Sequence, residues 1–158
     1  MFMAALILIV SVGMFFFYLQ ATCQKVLRRQ FSQEFFQSIV NANRLEFPSI
    51  RKAIEDLGSP VEYPRLLLTL KCDFLALTYL LKNAANVDQR YSYEERLLIL
   101  YFKVVFASLV TCHWLKLRES SAVLKLTVIL EYFANVVGER VNTVRFGNLT
   151  ASDYLLNL

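Results

Sequence analysis

Glycine and proline are both rare in this chain, four and three residues in 158. Tight turns depend on them, so their scarcity excludes an all-β domain of many short strands and favours long helices. Histidine occurs once, at His113. A single imidazole excludes a bis-histidine haem or a histidine-rich zinc site. The three cysteines, Cys23, Cys72 and Cys112, are odd in number, widely spaced and without a CxxC. That excludes a disulfide framework and fits reduced, buried thiols in a reducing compartment. There is no glycine-rich phosphate loop, no GxSxG, no HExxH and no paired carboxylate on a recognisable turn. The expectation is therefore no enzyme, no metal and no cofactor. The net charge of +4, from 17 basic and 13 acidic residues, is mild and dispersed, and nucleic acid is not an expected partner.

Charge is missing altogether from the start of the chain. Phe2 to Leu19 carries none, and the first charged side chain is Lys25. Eighteen residues at helical rise cover about 27 Å, close to the hydrocarbon thickness of a bilayer. Eleven of them are Leu, Ile, Val or Phe. Together these are worth about −3 to −7 kcal/mol of insertion free energy, with no charge opposing them. The stretch reads as a transmembrane helix. No basic residue precedes it and no small-x-small site follows it, so a retained anchor is expected rather than a cleaved signal. Lys25, Arg28 and Arg29 come directly after it. The positive-inside rule then predicts a single-pass protein with its N-terminus outside and its C-terminal domain in the cytoplasm.

The remainder is enough chain for one core. We expect an all-α protein, an N-terminal transmembrane helix followed by a compact bundle of about four helices. Residues 1–24 form the anchor, 25–46 a juxtamembrane amphipathic helix running on from it without a break, and 47–158 the bundle. Leu27, Phe31, Phe35 and Ile39 recur every four residues and make one apolar ridge, either a partner-binding stripe or a face packed on the chain's own helices. Pro48 opens a short helix to Leu57. A long helix begins at Ser59 or at Pro64 and runs to about Ala85. Ser92-Tyr93-Glu94-Glu95 is a capping box that starts another, through Arg96 to Glu119. A further helix covers 122–141, with Thr127, Glu131, Asn135 and Gly138 as its polar stripe. The tail has capping-box spacing at Thr150-Ala151-Ser152-Asp153, which predicts a separate last turn.

The stretch Leu97–Leu117 is also long enough to span. Its apolar residues are worth about −4 to −7 kcal/mol, against about +2.5 to +3.5 for Lys103 near its centre. Its neighbours are as apolar and carry Lys71, Asp73, Lys125 and Glu131, which favours mutual burial in one bundle.

Asp73 and Lys103 stand on adjacent helices amid apolar residues and are expected to pair and set register. Catalysis would require Asp73, Lys103, Tyr101 and His113 to converge in one cleft. Tyr79, Tyr101, Phe102, Phe106, Trp114, Tyr132 and Phe133 read as core, or as the walls of a pocket. The leading expectation is a membrane-anchored interaction or accessory subunit, with the bilayer and a protein partner or second copy as its contacts. The alternative is a bundle that holds a lipid, quinone or pigment between its helices.

Overall fold

A computed structural model describes the backbone of residues 2–29, 31, 35–56, 62–83, 91–115 and 120–156, with side chains as far as 143. Among these residues there are six helices and no strand: α1 Phe2–Leu27, α2 Phe36–Asn43, α3 Phe47–Asp56, α4 Tyr63–Asn83, α5 Tyr93–Trp114 and α6 Ser120–Leu156. The all-helical expectation holds. Among the described residues five helices follow the first, against about four expected. The expected helix end at Leu57, the start at Ser59 and the end near Ala85 lie outside the described residues.

The axis of the fold is α6, which packs against each of the other five helices. Its segment from Val123 to Val137 is too apolar to face water. Leu126, Ile129, Leu130 and Phe133 are completely buried there. Burial extends to the stripe expected to face solvent, since Thr127 and Asn135 are buried too. That stripe is the seat of α2 and α3. Asn135 Oδ1 accepts the N–H groups of Phe35 (3.0 Å) and Phe36 (2.8 Å). Glu131 accepts a 2.6 Å bond from Arg51 of α3. Gly138 lies directly against Phe35. The helix also runs on past Val141 to Leu156. The separate last turn expected from the tail's capping-box spacing is therefore part of one continuous helix.

The anchor does not run on into a juxtamembrane helix. The first helix stops at Leu27, and α2 starts afresh at Phe36. The reason is the Asn135 amide, which satisfies two N–H groups that a continuous helix would have bonded to its own carbonyls. A left-handed Arg44 (φ 52°, ψ 44°) then ends α2 and turns the chain into α3.

Two contacts fix which ends of the helices lie together. Arg140 donates to the Leu81 carbonyl at the end of α4 (2.8 Å) and to Glu95 in the first turn of α5. At the opposite end, Tyr63 at the start of α4 stacks on His113 at the end of α5, with ring centroids 3.4 Å apart. The anchor leaves from this second end. Leu19 and Cys23 are buried in the bundle, while the turns from Met3 to Tyr18 are exposed. By length and composition α1, α5 and α6 could each cross a membrane. Of the three, α6 is mostly buried inside the protein and α1 is almost wholly bare.

Candidate functional site

The structure does not bring Asp73 and Lys103 together. The two helices that carry them lie on separate flanks of α6. They meet through the rings of Phe74 and Phe102, stacked with centroids 3.9 Å apart. Lys103 points to solvent. Asp73 is buried and turned to the start of α3, where its Oδ2 accepts the N–H groups of Glu46 (3.0 Å) and Phe47 (2.8 Å). It is a helix cap supplied from a neighbouring helix. Burial pushes its carboxyl above the usual 3.8, against the two N–H donors, which pull it down.

The ridge residues Leu27, Phe31, Phe35 and Ile39 are half-buried, spread over two helices and the segment between them. Leu27, Phe31 and Ile39 pack on the chain's own core, and the Phe31 ring meets Tyr132 edge-on at 5.4 Å. The four candidates for a catalytic cleft do not converge: Tyr101 is buried beneath α1, His113 stacks on Tyr63, Asp73 caps α3 and Lys103 is exposed. No metal-binding cluster occurs among the described residues.

Of the aromatics read as core, Tyr101, Phe102, Tyr132 and Phe133 are buried and Phe106 packs against them, but Tyr79 and Trp114 are not. The cysteines divide similarly: Cys23 is buried, Cys112 half-buried and Cys72 exposed.

Tyr79 and Cys72 belong to one surface. Leu68 (64% exposed), Cys72, Leu75 (56%) and Tyr79 (69%) follow one another along the outer side of α4 at spacings of four, three and four. This is the repeat of a helix-pairing seam. Arg65, Lys71 and Lys82 are exposed on the same helix, whose one acidic residue, Asp73, is buried. Asp73 does not face solvent with Arg65 but turns inward.

A second feature lies where α1 enters the bundle. A cavity of about 550 Å³ opens between Leu27 and Arg28 on one side and Ser120, Ser121, Leu124 and Lys125 on the other. A smaller one of about 300 Å³ continues beside Phe16 and Leu19. Sequence periodicity could not show either, since both are made by three helices meeting.

Family models, curated proteins and solved structures were compared with the chain, and none matches it.

Proposed function

We propose that the chain is a membrane-anchored accessory subunit, with α1 as its one span and α4 as the face that docks a helix of another protein. The observation that carries this is the exposed seam Leu68–Cys72–Leu75–Tyr79, an apolar stripe in a helix whose opposite side is already packed on α6. Its basic flanks call for a partner helix with acidic edges. They also oppose self-pairing. An antiparallel pairing of two copies would set Arg65 near Lys82, like against like.

Single-pass topology is supported by the outer face of α5, where Arg96 and Lys103 are exposed, and by the burial of most of α6 inside the protein. Lys25, Arg28 and Arg29 support a cytoplasmic bundle.

Cys72 gives a direct test. Native membranes are treated with a polyethylene glycol maleimide and modification is read peptide by peptide. A docked seam shields Cys72, and Leu75→Asp, at an exposed position, raises its rate at least tenfold. Native mass of the full chain then gives a complex for the wild type and a monomer for the variant. Equal rates in the two proteins would sink the docking reading. A complex of twice the chain's own mass would replace the foreign partner with a second copy.

A further inference from the structure

The two cavities beside the anchor share Tyr101, Ser121 and Lys125 in their walls, so they adjoin as two halves of one region. The two halves differ in chemistry. The larger half is bordered by two cations, Arg28 and Lys125, by the Ser120 and Ser121 hydroxyls and, among the described residues, by no carboxylate. Among the described residues neither cation has an acidic partner. A cavity of similar size on the neighbouring face, about 570 Å³, shows the contrast. It holds Arg29 and Arg51, and both are neutralised, Arg51 by Glu131 at 2.6 Å and Arg29 by Glu139 at 3.7 Å. Of these two cavities, and among the described residues, the one at the anchor is the one that retains unbalanced positive charge. Its remaining walls are mainly apolar, Leu27, Leu124 and Val128 with Tyr101, and Gln24 adds one amide. The smaller half is predominantly apolar, with Phe16, Leu19, Val104, Val105 and Ala122 around it, and it climbs along α1 towards the exposed part of that helix.

We propose that this space is a phospholipid site. The phosphate of an anionic headgroup lies against Arg28 and Lys125, and the first part of an acyl chain runs up between α1 and α5. The inference rests on α1 spanning the bilayer, and the depth then fits. Leu19 closes the apolar run, and the five residues from Gln20 to Gln24 cover about 7 Å of helix, one headgroup layer. Lys125 lines both cavities, beside Gln20 in one and Gln24 in the other, and Arg28 follows at the lower edge of that layer, with a side chain long enough to reach into it. A small anion would use the cations and leave the apolar walls wet. A neutral lipid would fill the walls and leave the two cations unopposed. An anionic phospholipid satisfies both halves at once.

The test uses the full-length chain extracted in mild detergent, with native mass spectrometry as the readout. The probes are phosphatidylglycerol, phosphatidylcholine and inorganic phosphate. The wild type is expected to retain one phosphatidylglycerol per chain and to hold phosphatidylcholine at least tenfold less well. The double variant Arg28→Gln/Lys125→Gln, altered only at exposed positions, is expected to lose phosphatidylglycerol at least tenfold, and Lys125→Arg to keep it. Ala122→Phe, which blocks the smaller half and leaves the cations in place, is expected to lose both lipids. Equal retention by the double variant and the wild type would overturn the site, leaving only lipid adsorbed to the anchor. Displacement of phosphatidylglycerol by millimolar inorganic phosphate would overturn it in favour of a small-anion pocket. Extraction of the membranes with alkaline carbonate separates this failure from that of the anchor. A chain that stays in the pellet but holds no lipid has lost the site alone, and a chain released by carbonate has lost the span as well.

Discussion

Gly138 and Phe35 touch so closely that a Cβ on Gly138 would lie 2.1 Å from the Phe35 Cβ and 2.7 Å from its Cγ. No side chain occupies such a space without moving a neighbour. The neighbour here is the first part of a side chain, close to the backbone, and cannot swing aside. This contact brings the start of α2 to within reach of Asn135, three residues earlier on α6. Gly138→Ala should therefore lift α2 from α6. Overpacking of this kind costs about 1–3 kcal/mol, partly offset by the better helix propensity of alanine. Hydrogen exchange is the measurement to make. The N–H groups of Phe35 and Phe36 should lose protection while those in the middle of α4 keep theirs.

Asp73 supplies a second prediction. Two N–H groups at the start of α3 depend on its Oδ2. Asp73→Ala strands both, one of them buried, and should destabilise by about 1–3 kcal/mol. Asp73→Asn keeps an acceptor oxygen without the buried charge and should change stability by less than about 1 kcal/mol. The pH dependence has a definite sign. The folded pKa is raised above the usual 3.8, so the folded state holds this proton more tightly than the unfolded chain. The stabilisation from this group is complete below the unfolded value and is lost as pH rises through the folded one. Wild type should therefore lose stability relative to Asp73→Asn as pH rises through that window. Parallel curves from denaturant melts would refute the assignment.

Arg140 joins the end of α4 to the start of α5, and its partner Glu95 is only 4% exposed. Glu95 Oε2 in turn accepts the Ser92 N–H at 2.9 Å, which begins α5. Arg140→Leu leaves a buried carboxylate without its cation and should cost about 3–5 kcal/mol. Adding Glu95→Gln removes the stranded charge and keeps the Ser92 bond. The double variant should thus be more stable than Arg140→Leu alone. Melts of the wild type, Arg140→Leu, Glu95→Gln and the double variant form the cycle, and additive losses would count against a coupled pair.

Some of this was legible from residue patterns and some was not. The apolar run, the helical class and the Ser92 capping box are local, set by residues within a few positions of one another. The break between α1 and α2 is not local: Phe35 and Phe36 look helical until Asn135, 100 positions on, takes their N–H groups. The expected Asp73–Lys103 pair failed for a related reason. It assumed that helices in contact also align these two side chains, whereas α4 and α5 meet through Phe74 and Phe102, with Asp73 turned to α3 and Lys103 to solvent. Polar residues in α6 read as a solvent stripe because periodicity reports polarity, and polarity is equally the mark of a surface that receives another helix's end. The cleft at the anchor was invisible for the same reason, being the product of three helices meeting.

Trp114, the one tryptophan in the chain, offers a test of where the bundle meets the bilayer. It is 86% exposed, at the end of α5 that lies beside the departing anchor. The smaller cavity sets Phe16 of α1 against Ser108 and Cys112, so the end of α5 comes level with the lower half of the apolar run. An exposed tryptophan at that height, followed by an exposed Leu115, belongs in the interfacial layer, where its ring is apolar and its N–H stays hydrated. In vesicles the emission of Trp114 should shift to the blue of that of a free indole in water. Lipids brominated near the carbonyls should quench it more strongly than lipids brominated at the chain ends. Trp114→Ala should leave insertion of α1 intact, by carbonate extraction, since on the proposed single-span reading α1 carries that free energy. A water-like emission in vesicles would mean that the bundle hangs clear of the surface on its anchor. The end of α5 would then be free to take part in the contact proposed for α4.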